Sequence, residues 1–152
     1  MAKKSIRPLD PMEESTWRDL ARFFVVLPRL LDDDLQRGAR ISLSEYTVLM
    51  NLSEAPEHQL RMTELATSAY LSGSRTTRII DELAAEGFVS KARCPGDARG
   101  IDVRLTDRGL ERLRDAYAVH LESVRSRVLD HVRPGALPSF GRTMAAIVRT
   151  LS

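Results

Sequence analysis

Along most of the chain apolar residues recur at spacings of three and four, the period of helices that bury one side. Trp17, Leu20, Phe24, Leu27, Leu31 and Leu35 form one such buried stripe, predicting a helix from Ser15 or Thr16 to about Gln36, ended by Gly38. Pro28 lies inside it and is expected to kink it, because its ring removes a backbone donor and crowds the preceding turn. The run Phe23-Phe24-Val25-Val26-Leu27 is apolar on more than one face, which calls for burial on two sides. Ser42 and Glu45 have the spacing of a capping box ahead of Tyr46, Leu49, Met50 and Leu52, and start a second helix. Residues 53–61 are polar around Pro56 and predict a loop. Thr63 is expected to cap a short helix with Leu65, Ala66 and Ala69 inward. Ser72 then caps a longer helix that Gly87 closes.

There the period changes. Residues 88–94 and 101–105 read as strands, with Ile101, Val103 and Leu105 on one face and Asp102 and Arg104 on the other. Pro95, Gly96 and Gly100 mark the loop between them, which makes a hairpin. Thr106 and Asp107 open the longest helix, reaching about Val132 with Leu110, Leu113, Tyr117, Leu121, Val124 and Val128 inward. After the break at Pro134 and Gly135, a last helix carries Leu137, Phe140, Met144, Ile147, Val148 and Leu151. The pattern predicts a mainly α chain with a small two-stranded β-wing.

The order short helix, tight turn, helix, ribbon is that of a helix-turn-helix followed by a wing. If Thr76, Ile79, Ile80 and Leu83 face the core, Ser74, Arg78 and Asp81 point to solvent, flanked by Arg75 and Thr77. Such a face suits phosphate anchoring and base-edge hydrogen bonds. A merely solvated amphipathic face is the competing reading. At the hairpin tip Arg99 is placed to enter a narrow minor groove, with Asp97 directing the loop. Alternatively the two form a surface ion pair worth about 0–1 kcal/mol. Lys91, Arg93 and Arg104 add basic groups along the strands.

Composition narrows the choices. The 152 residues, 43% hydrophobic, suffice for one domain with a core, and the net charge of +2 does not announce a nucleic-acid binder. Basic and acidic side chains number eight and ten over residues 1–60 but fifteen and eleven over 61–152, a mild asymmetry favouring the second part. No apolar run approaches the ~20 residues of a membrane span, and no secretory signal opens the chain. The lone Cys94 excludes an internal disulfide and fits a reducing cytoplasm. It is either inert or, beside Arg93, a redox-responsive thiol. His58 falls in the polar loop. His120 and His131 fall on the long helix, ~16 Å apart along its axis and too far to share a metal. With no nucleophile elbow, phosphate-cradling loop or paired cysteines, neither an enzyme nor a cofactor is expected.

Two pieces, MTELATSAYLSGSRTTRIIDELAAEGFVSKA and DARGIDVRLTDRGLERL, resemble the DNA-binding core of MarR-type transcriptional regulators. The marks are Asp97-Ala98-Arg99-Gly100, then Leu105-Thr106 and Gly109, and the flanking long helices extend the resemblance over nearly the whole chain. It implies a homodimeric repressor with a winged helix-turn-helix over 42–106 and dimerisation helices over 15–37 and 107–152. Two recognition helices ~34 Å apart would read a pseudo-palindromic operator in double-stranded DNA. Arg75, Thr77 and Arg78 would then work in the major groove, Arg99 in the minor groove, and Ser72, Ser74 and Lys91 near phosphates. Many relatives bind aromatic acids or phenols between the dimerisation helices and the DNA-binding lobe. Here Trp17 would supply a wall and Arg18 or Arg22 a carboxylate partner. The residues alone leave a rival open, a winged-helix interaction module that dimerises or docks a partner without reading DNA.

Overall fold

The computed structural model describes residues 7–93 and 100–151. Within them α1 spans Pro11–Ala39, α2 Leu43–Glu54, β1 Gln59–Arg61, α3 Met62–Ser68 and α4 Gly73–Ala85. Then come β2 Val89–Arg93, β3 Ile101–Leu105, α5 Asp107–Arg127 and α6 Leu137–Val148. Mainly helical, with a small antiparallel sheet, the chain has the architecture its periodicity predicts.

α2 is the hub. Its Tyr46, Val48, Leu49 and Leu52 are buried together with Leu35 of α1, Leu65 of α3, Ile79, Ile80 and Leu83 of α4, and Leu113 and Ala116 of α5. The capping box forms as expected: Ser42 Oγ accepts from the Glu45 N–H, and the Glu45 carboxylate accepts from the Ser42 N–H at 2.7 Å. Val103 and Leu105 plug the sheet into this core, while Ile101, expected to join them, is 40% exposed at the end of the ribbon away from the core, opposite Arg93.

The sheet has a third strand. β1, inside the segment read as a loop, pairs antiparallel with β3, Leu60 opposite Val103, so the order is β1-β3-β2. Three residues are too short for a period to show, and only the long-range pairing creates the strand. α3 correspondingly is capped two residues before Thr63: Arg61 is its N-cap, and its N–H donates to the Glu64 carboxylate at 3.2 Å.

α1 also begins earlier than Ser15. Asp10 caps it, accepting from the N–H groups of Met12 and Glu13 at 2.9 Å, while Glu13 accepts from the Asp10 N–H. Pro11 at the first position favours that start, and the Thr16 hydroxyl is occupied donating to Met12 O. The helix runs without a break through Pro28. Gly38 does not end it. Arg40 does, in the left-handed region at φ 52°, ψ 42°. Gly38 instead lets α5 approach, since a Cβ there would lie 2.9 Å from Val119 Cγ1.

That close approach changes which face of α5 is inward. The buried positions are Gly109, Leu113, Ala116 and Ser123, whereas Tyr117 and Leu121, both expected inside, are 54% and 39% exposed. Small and polar residues hold the seam because α1 and α5 meet through an ion-pair network. The Asp34 carboxylate accepts from Arg127 Nε at 2.7 Å and Nη2 at 3.0 Å, from the Ser123 hydroxyl, and from Arg37 at 2.5 Å. The Arg127 hydrogen bonds, followed by that from Ser123, hold the Asp34 carboxyl well below the usual carboxylate range.

α5 ends at Arg127, so His131 lies on a following 3-10 turn, Leu129–His131, and not on the helix of His120. The His120 ring rests on Tyr46 with centroids 4.4 Å apart, and its buried Nδ1 has no hydrogen-bond partner among the described residues. Burial lowers its pKa.

Two apolar surfaces remain open. The stripe of α1 expected to be buried leaves Trp17 57% and Phe24 52% exposed, and no residue of α6 is buried at all. Among the described residues nothing covers them.

Candidate nucleic-acid interface

α3 and α4 are joined by Ala69-Tyr70-Leu71-Ser72, a turn too short to let the two helices separate. Ser72 caps α4: its Oγ accepts from the Arg75 N–H at 3.4 Å. Thr76, buried completely, donates its hydroxyl back to Ser72 O at 3.0 Å and locks the first turn against the core. With Thr76, Ile79, Ile80 and Leu83 inward as expected, Ser74, Arg75, Thr77 and Arg78 are exposed. Arg75 is steered: its guanidinium donates to Ser44 Oγ of α2 at 2.9 Å. The Thr77 hydroxyl donates to Gly73 O at 3.0 Å and keeps its lone pairs outward. Arg78 makes no ion pair with another described residue, and its guanidinium extends freely from the middle of the exposed face.

The ribbon follows α4 directly. Gly87, at φ 78°, makes the turn out of α4, and β2 and β3 pair with Lys91 opposite Val103. Its root is tied down at Thr106. That hydroxyl lies within hydrogen-bond distance of the carbonyls of Gly87 at 2.8 Å and Phe88 at 3.0 Å, and it accepts from the Gly109 N–H, capping α5. So the Leu105-Thr106 and Gly109 pattern is a clasp joining the wing, the end of α4 and the start of α5.

Lys91 is less free than its place on the strand suggested. Its Nζ donates to Asp81 Oδ1 of α4 at 2.6 Å, an ion pair between wing and helix. Asp97, Arg99 and Cys94 lie outside the described residues, and so does the hairpin tip. Two partners escaped sequence reasoning, Ser44 for Arg75 and Asp81 for Lys91. Both are long-range pairs between exposed polar residues, which no periodicity reports.

The three effector candidates do not converge. Trp17 is exposed, Arg18 pairs with Glu14 at 2.5 Å one turn away, and Arg22 lines a cavity. That cavity, an open groove of about 420 Å³ between α1 and the end of α5, has walls of Phe23, Val26, Leu27 and Leu30 with Arg22 and Arg127 at its edge.

A short helix, a tight turn, an amphipathic second helix and a hairpin clasped to its end define a winged helix-turn-helix protein. The MarR family profile matches residues 41–101, from just before α2 to the first residue of β3. The chain is 30% identical over 115 residues to the HTH-type transcriptional repressor YetL of Bacillus subtilis, covering 76% of this chain and 68% of YetL. Among solved structures it is similar to Sco3205, a MarR family transcriptional regulator from Streptomyces coelicolor crystallised in complex with DNA. The TM-score is 0.87 at 35% identity, over 97% of this chain and 92% of that one. AbsC, a second MarR family regulator from S. coelicolor, superposes with a TM-score of 0.85 at 31% identity, covering 96% of this chain and 98% of AbsC. The chain belongs to the MarR family of transcriptional regulators.

Proposed function

We propose that the protein is a homodimeric repressor that reads a pseudo-palindromic operator in cytoplasmic double-stranded DNA. Residues 42–106 form its DNA-binding region, and residues 15–37 and 107–152 its dimerisation helices. The exposed face of α4 carries this reading, since it offers Arg78, unpaired among the described residues, beside Ser74, Arg75 and Thr77 on a helix whose other side is buried. Arg75, Thr77 and Arg78 act in the major groove. Ser72, Ser74 and Lys91 act near phosphates, and Arg99, directed by Asp97, in the minor groove. YetL is described as a repressor and Sco3205 was crystallised with DNA, which supports both the direction of control and the partner.

Dimerisation follows from the apolar surfaces of α1 and α6. Leu137, Phe140 and Ile147 are 45%, 40% and 37% exposed in the isolated chain, an area that a second copy would cover. The effector is a small aromatic acid. Of the residues considered for it, Arg22 supplies the cation, and the groove walls beside it are apolar.

Fluorescence-anisotropy titration on the DNA adjoining the protein's own gene is the test. Arg78→Ala is expected to cost about 1–3 kcal/mol and to relax specificity at one base pair. Equal binding by parent and variant at several salt concentrations would overturn the major-groove assignment.

A further inference from the structure

Tyr70 is the most exposed large side chain with an apolar body among the described residues, at 92% of its free surface. It also sits in a backbone conformation that tyrosine disfavours, φ 54°. The cause is the way α3 stops. The Tyr70 N–H donates to Thr67 O at 3.1 Å and the Leu71 N–H to Ala66 O at 2.9 Å, the paired bonds of a Schellman motif. That motif places Tyr70 at the left-handed position where glycine, lacking a Cβ, is the relaxed choice. Both neighbours are anchored: Ala69 is buried and Leu71 packs against the core. The backbone therefore cannot turn Tyr70 inward, and two residues later Ser72 caps α4.

A ring there is almost wholly exposed and sits on a strained backbone, so among the described residues nothing favours it. What Tyr70 has is its place: it stands two residues before the N-cap of α4, the helix whose exposed face carries Ser74, Arg75, Thr77 and Arg78. A neutral hydroxyl donor beside a helix that lies in the major groove meets the sugar–phosphate backbone, not base edges. We infer that Tyr70 is a DNA-backbone clamp, its hydroxyl donating to a phosphate oxygen that flanks the recognition helix. This rests on the DNA-binding reading of α4.

The two are separated by three variants measured on the operator and on an unrelated duplex of equal length. Tyr70→Phe removes only the hydroxyl and is expected to weaken binding to both duplexes by the same factor, about three- to tenfold, the worth of one hydrogen bond. The slope of affinity against salt should stay unchanged, because a neutral donor releases no counterion. Tyr70→Gly should bind as weakly or more so, yet melt about 2–4 °C higher because the left-handed strain is relieved. Arg78→Ala in the same series should lose operator affinity preferentially. If Arg78→Ala weakens binding while both Tyr70 variants bind like the parent, the clamp is wrong and the reading of α4 stands. If none of the three alters binding, both fall. A Tyr70→Gly protein that melts lower and binds less also overturns the clamp, since Tyr70 would then be a structural residue.

Discussion

At Gly109 an added Cβ would lie 2.0 Å from the carbonyl oxygen of Phe88 and 2.7 Å from Leu105 Cδ1. The backbone of the wing root fills the place of a side chain, so Gly109→Ala must push β2 and α5 apart. A loss of about 3 kcal/mol or more is expected, above the usual range for overpacking because the obstacle is backbone. A urea-denaturation midpoint close to the parent's would contradict the clasp. Asp34 gives a pH dependence. Its folded-state pKa is depressed, chiefly by the Arg127 hydrogen bonds, so its contribution is present above the unfolded value near 3.9 and lost as pH falls through the folded one. His120, lowered by burial, acts in the same direction earlier, removing stability as pH falls below about 6.5 because the unfolded state takes up the proton first. Thermal melts carried from pH 8 down to about pH 2 should therefore fall in two stages, the acid one beginning only below about 3.9. Asp34→Asn should melt several degrees lower at pH 7 and lose the acid stage, while His120→Phe should lose the milder one.

Between elements, the ion pair of Lys91 and Asp81 sets where the Lys91 ammonium is held. Both side chains are more than a third exposed, so the pair contributes little to folding. Its effect is on where Lys91 points. Asp81→Ala should leave the melting temperature within a degree or so yet raise affinity for any duplex, because a released ammonium can neutralise a phosphate. The salt slope should then steepen by about one. An unchanged slope would mean that Lys91 reaches phosphate even while paired. The α1–α5 seam shows why element boundaries were legible and packing faces less so. Ser42, Ser72, Gly87 and Thr106 mark helix ends by local chemistry and stand where their residue types predict. Spacing alone places Tyr117 and Leu121 inward, but α5 buries Ala116 and Ser123 instead, and the missing side chain of Gly38 leaves room for Val119.

For the whole molecule, the unburied residues decide. α6 and the Phe23–Val26 run of α1 have the composition of core and the exposure of surface, a state that a second copy would relieve. Phe140→Glu with Ile147→Glu is expected to shift the mass in solution from twice 17.1 kDa to 17.1 kDa. Operator affinity should drop by at least tenfold, since only a dimer places two recognition helices on one face of the duplex. A double variant that stays dimeric by sedimentation equilibrium would rule α6 out of the interface. By its own periodicity and turn chemistry the sequence determined the helices, the hairpin, the core face of α4 and the polar row opposite it. Those features depend on spacing and on single-residue preferences, which are local. Tertiary structure alone decided the strand β1, the Asp34–Arg127 seam, the steering of Arg75 by Ser44 and the capture of Lys91 by Asp81. Each joins residues far apart in the chain, and such pairs form only once the core has set their distance.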